Sequence, residues 1–165
     1  MYSLRCGCGR SGRCLGYLPR SCDGGGRGVD RLDQKLEVAG RACATLIELV
    51  SRPYGDAVVT RDATILRFVY SFETTWKAAQ RVLNLYESID VATPRAVIQS
   101  CWKAGLLNDE QAEQIMAMIT DRNLTVHAYD EKLAVELATR IPAHAALLGF
   151  WLTALRNRVG REQKP

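Results

Sequence analysis

The chain has 165 residues, 47% of them apolar, enough for one domain with a real core and too few to expect two. Its formal net charge of +4 is concentrated in residues 1–28, where Arg5, Arg10, Arg13, Arg20 and Arg27 face Asp23 alone. The remainder is balanced, so net charge gives no argument for nucleic-acid binding and only a local patch could supply one.

Residues 1–28 are rich in Gly, Arg and Cys, follow neither the helical nor the strand period, and include the run Gly24, Gly25 and Gly26. They read as a disordered tail. Cys6, Cys8, Cys14 and Cys22 lie here, but their spacing lacks the paired C-x2-C knuckles of a structural zinc site, so no metal is expected. The abrupt change of composition at Val29 is also compatible with a start codon placed upstream of the true one, which intact mass of the natural product would test. No apolar stretch has the length of a signal peptide or a membrane span. The expectation is a cytoplasmic protein without a membrane partner, with Cys43 and Cys101 as buried thiols.

A globular region is expected over residues 29–158. Leu32, Leu36, Ala39, Cys43, Leu46, Ile47 and Val50 recur at three- and four-residue spacing, the stripe of an amphipathic helix over residues 30–50. Pro53 and Gly55 stop it. From about Asp62 the stripe resumes through Ile65, Phe68, Val69, Phe72, Trp76, Ala79, Val82, Leu83 and Tyr86, with Thr60 or Asp62 as N-cap. Glu73 and Lys77 form an i, i+4 pair in the favourable order, contributing about 0.3 kcal/mol.

Thr93 followed by Pro94 opens a short helix that Gly105 closes. Asn108 and Gln111 have capping-box spacing, starting a helix through Ala112, Ile115, Met118 and Ile119. Asp130 caps a last long helix carrying Leu133, Leu137, Ile141, Ala145, Leu148, Trp151, Leu152 and Leu155, with Pro142 predicted to kink it. Residues 159–165 are polar and are expected to fray. No segment alternates at period two, so the predicted fold is all-α: an antiparallel up-and-down bundle of four long helices plus one short helix.

Between the last two helices, residues 121–130 bring Arg122, Asn123, His127 and Tyr129 close in sequence. On a helical wheel Arg122 falls on the apolar face with Ile115, whereas His127 lies about 140° from Arg122 and beside Asn123. A guanidinium on that face needs an internal acid, a partner chain or an anionic ligand; Glu113 and Glu136 are internal candidates. One straight helix cannot bring Arg122 and His127 onto one atom. If they act together, the helix breaks between them or two copies of the motif meet across a dimer. His127 could then serve as general acid or base on a phosphodiester held by Arg122. Asn123 would support, and the Tyr129 phenol offers a hydrogen bond or a nucleophile. The plain alternative is that these residues only pack and solvate a helix end. His144, the other histidine, reads as a surface or packing residue.

Arg122, Asn123, His127 and Tyr129 resemble the R-x4-H-x-Y signature of HEPN domains. Phe72, Glu73, Trp76 and Lys77, then Thr93, Pro94 and Arg95, then Ala104, Gly105 and Leu106, are similar to the branch called nucleotidyltransferase substrate-binding proteins. The resemblance covers residues 32–155. It implies a helical bundle, a homodimer with facing R-x4-H loops, and a minimal nucleotidyltransferase as partner. It further implies a metal-independent RNase toxin of a toxin–antitoxin pair, acting on RNA through Arg122 and His127 without a cofactor. Asn123 would be supportive and Tyr129 the candidate nucleotidylation site. Alternatively the resemblance implies a non-catalytic substrate-binding subunit of the nucleotidyltransferase complex. A helical dimerisation module without a ligand is the third reading.

Overall fold

The computed structural model describes residues 24–53 and 55–162; the four cysteines of the tail lie outside them. Five helices follow one another: α1 (Gly24–Ser51), α2 (Ala57–Tyr86), α3 (Pro94–Lys103), α4 (Asp109–Leu124) and α5 (Glu131–Glu162). A single 3-10 turn, Thr125–His127, joins α4 to α5. Four of the helices are long and α3 is short, in antiparallel up-and-down order, as the hydrophobic periods predict. α2 and α5 form the central pair; α1 covers one side and α3 with α4 the other.

The helix ends follow from local chemistry. The Thr93 hydroxyl accepts from the Ala96 N–H at 3.3 Å, with Pro94 at the first helical position. Gly105, at φ +71°, closes α3: its N–H donates to Trp102 O and the Leu106 N–H to Cys101 O at 2.9 Å, the paired bonds of a Schellman turn. Asn108 and Gln111 complete a reciprocal capping box. The Asp130 carboxylate accepts from the Leu133 N–H at 3.2 Å.

Three boundaries differ from the sequence reading. α2 begins at Ala57, capped by Asp56, which accepts from the Val58 and Val59 N–H groups. The β-branched run Val58, Val59 and Thr60 masked this start, but a good N-cap overrides so weak a propensity. α1 begins at Gly24, so the end of the segment read as aperiodic continues the helix. α5 stays helical to Glu162 rather than fraying from 159: Val159 is buried and Arg158 donates to Glu87 Oε1 at 2.7 Å. The helix also runs through Pro142 without interruption.

The core is one cluster in which Phe68, Phe72, Val82 and Leu83 of α2 meet Ile141, Leu148, Trp151 and Leu155 of α5. α1 adds Leu32, Leu36, Ala39, Cys43 and Leu46, but Ile47 is 41% exposed and Leu49 is buried in its place. α5 is long and apolar enough to cross a bilayer by length and composition; here its apolar stripe is spent on the bundle core. Burial pushes the Cys43 thiol above its ordinary value.

Candidate functional site

The geometry of the α4–α5 corner starts from the way α4 ends. Asp121 occupies its last turns, where the negative end of the helix dipole disfavours a carboxylate. α5 supplies the compensation. Arg140 donates through Nε to Asp121 Oδ2 and through Nη2 to Oδ1, both at 3.0 Å, and His144 Nε2 lies 2.7 Å from Oδ2. Arg140 and His144, one turn apart on α5, thereby grip the two oxygens of one nearly buried carboxylate. The His144 imidazole stacks on Phe68 with centroids 5.2 Å apart, so α2 joins the contact. Sequence reading assigned His144 no such role. The available signal was an acid at a helix C-terminus, which local electrostatics does not favour.

Arg122 turns the opposite way. Its Nε and Nη2 both meet Glu73 Oε1 of α2 at 2.9 Å, and Nη1 donates to Asn123 Oδ1 at 3.3 Å. The acid that Arg122 requires is therefore Glu73, neither Glu113 nor Glu136. Glu73 Oε2 in turn accepts from the Trp76 indole N–H at 3.0 Å and lies 3.4 Å from Lys77 Nζ. The Glu73–Lys77 spacing thus belongs to a five-residue network, with Trp76, Arg122 and Asn123, linking α2 to α4.

Beyond Arg122 the helix breaks. The Thr125 hydroxyl donates to Arg122 O at 2.7 Å, and 3-10 bonds run from the Ala128 N–H to Thr125 O and from the Asp130 N–H to His127 O. A break was one of the two arrangements the wheel left open for a joint role, but tightening from 100° to about 120° per residue does not bring His127 onto the Arg122 face. No hydrogen bond, ion pair or ring contact joins the two. His127 is exposed, and its imidazole meets the Tyr129 ring edge-on, centroids 6.1 Å apart. Tyr129 is 87% exposed.

The other flank of the corner is fixed by Arg61 of α2, which pairs with Glu131 at the start of α5 and with Asp62 beside it. These carboxylates, Glu131 foremost, push the Arg61 guanidinium above its already high ordinary value. A groove of about 410 Å³ beside this pair is lined by Val58, Arg61, Glu131 and Val135. Val58 and Val135, which line this groove, and Val59 and Val126 are all exposed, leaving apolar side chains uncovered near the starts of α2 and α5 and in the connection that carries Tyr129. Among the described residues no three His, Cys, Asp or Glu side chains are grouped to hold a metal ion.

A family model described as nucleotidyltransferase substrate binding protein like matches residues 34–157. The structure is similar to that of a Thermus thermophilus protein, 43% identical, over 72% of this chain and 98% of the other, with a TM-score of 0.67. It shares its fold with a tri-AMPylated HEPN toxin from Shewanella oneidensis in complex with MNT antitoxin. That match is 16% identical, with a TM-score of 0.62 over 78% and 98% of the two chains. A toxin–antitoxin structure with AMP-PNP is similar at 15% identity, with a TM-score of 0.61 over 76% and 98%. No curated protein matches.

Proposed function

The chain belongs to the nucleotidyltransferase substrate binding protein-like family, and from that premise we propose that it is the helical partner of a minimal nucleotidyltransferase. In this reading it presents the α4–α5 corner to the enzyme, with Tyr129 as the acceptor. The observation that carries the reading is the contrast between Tyr129, 87% exposed, and the three ion-paired contacts that fix the helices around it. A rigid support with one accessible phenol is the form an acceptor needs. The uncovered apolar side chains of Val58, Val126 and Val135 provide area for a protein partner.

The chemistry is a nucleotidyl transfer. Tyr129 Oη attacks the α-phosphorus of a nucleoside triphosphate held by the partner, and a phosphodiester bond to the phenol forms. The α–β phosphoanhydride bond breaks, pyrophosphate leaves, and the phenolic proton passes to a base of the partner. The shared fold with an AMPylated toxin makes ATP the first nucleotide to try.

One observation favours a second reading, the metal-independent RNase of a homodimer: His127 is exposed and has no acid partner among the described residues. Against it, Arg122 is committed to Glu73 and would have to leave that carboxylate to hold a phosphate. Purified protein, a minimal nucleotidyltransferase from the same organism and α-labelled ATP decide between the two. The binding reading expects a stable complex and label that Tyr129→Phe abolishes. Label that persists in Tyr129→Phe rules out the acceptor. RNA cleaved by the protein alone in the presence of a chelator, and spared by His127→Ala, would establish the RNase instead.

A further inference from the structure

We infer that Asp121, Arg140 and His144 form a positioning clamp that fixes the orientation of the α4–α5 corner and, with it, how Tyr129 is offered to the nucleotidyltransferase. The inference rests on the acceptor reading for its second half only. Asp121 is 8% exposed and takes three bonds, two from the Arg140 fork and one from His144. Apolar residues would join two helices at least as stably as a buried ionic group. What a carboxylate gripped at both oxygens adds is direction, because the planar fork fixes both the distance and the rotation of the group it holds.

The placement makes that direction matter. Asp121 and Arg122 are neighbours, yet Asp121 is tied to α5 and Arg122 to Glu73 of α2. Opposed tethers on adjacent residues prevent the last turn of α4 from rotating about its own axis. Beyond them none of residues 122–130 is buried. Thr125 bonds back to Arg122 and Asp130 caps α5, so the side-chain bonds of the connection are largely local. On its α4 side the corner therefore inherits its orientation from residues 121 and 122, as it does on its α5 side from the Arg61–Glu131 pair. His144 extends the clamp to a third helix through its stacked contact with Phe68.

His144→Phe keeps an aromatic ring against Phe68 but loses the bond to Asp121, whereas His144→Gln retains a donor. Both are compared with the wild-type chain, well below their melting temperatures measured by circular dichroism. In His144→Phe the amides of residues 123–130 should exchange about tenfold faster while those of α1 are unchanged, a local opening rather than global unfolding. Labelling of Tyr129 in the complex should fall about tenfold in kcat/KM for this chain at unchanged KM for the nucleotide. His144→Gln should recover both readouts to within about threefold. Arg140→Lys, at a half-exposed position, loses the fork and repeats the test if His144→Phe does not fold. Unchanged exchange at the corner, or exchange that rises equally in α1, overturns the clamp; so does undiminished labelling in a variant whose corner has opened. A wild-type chain that is never labelled at Tyr129 removes the acceptor reading instead, and the exchange measurement then decides the clamp alone.

Discussion

The two ends of α5 treat their arginines in the same way and their surroundings in opposite ways. At the C-terminal end Arg156 reaches across α1 to donate to Leu36 O at 3.3 Å, and Arg158 donates to Glu87 and to Tyr86 O. There the cations finish the bundle, and Val159 is buried beneath them. At the N-terminal end Arg140 and, from α4, Arg122 are committed to carboxylates, yet what they brace is a short connection whose His127 and Tyr129 are exposed. An ion pair that only closes a bundle can be replaced by packing. One that holds an exposed tip still has to aim it.

That difference can be broken or sharpened by substitution. The largest effect should come from the shared core: Trp151→Ala removes the largest fully buried side chain and should cost about 3–5 kcal/mol in chemical denaturation, with both ends loosened together. Glu73→Gln should cost about 1 kcal/mol, since the pair it weakens is half-exposed, while freeing Arg122. Its informative readout is anion affinity at the corner, which should rise if Arg122 can serve a phosphate. An unaltered affinity would show that Glu73 is not what withholds it.

Gly40→Ala tests the other end. An added Cβ would overlap Arg156 Nη2, the far end of a flexible side chain, so Arg156 should swing away and lose Leu36 O. The helix-propensity gain of about 1 kcal/mol and the loss of one hydrogen bond of similar size should nearly cancel, leaving the melting temperature within a few degrees of wild type. A large loss would mean that Arg156 closes its end as firmly as the clamp closes the other.

The smallest effect concerns pH. Removal from water pushes the Cys101 thiol up to about 12, with Trp151 pulling it the other way and Glu87 adding slightly to the rise. The neutral thiol is the form the fold prefers, so its contribution is complete below the ordinary cysteine value and fades as pH climbs toward 12. Native Cys101 should resist alkylation at about pH 8, near the ordinary thiol value, and rapid native-state labelling would contradict its burial.

Much of the candidate site could be read before the fold was known, for a definite reason. That one straight helix cannot bring Arg122 and His127 together follows from the roughly 100° step of a helix, and Arg122's need for an acid follows from the cost of an unpaired guanidinium on an apolar face. Glu73 as that acid could not be read, because it lies 49 residues away on another helix. His144 could be read as a packing residue, which its ring against Phe68 makes it, but its bond to Asp121 could not be read for the same reason: the partners sit on α4 and α2, and no spacing along α5 points to either.

The sequence by itself determined five helices, most of their caps and the all-α bundle, since hydrophobic period and capping chemistry act over a few residues. It also placed Arg122, Asn123, His127 and Tyr129 at one corner. Only the tertiary structure decided which carboxylate holds which cation, because those pairs join α2, α4 and α5. It alone left Tyr129 outermost, since the exposure of a side chain depends on what the rest of the chain packs around it.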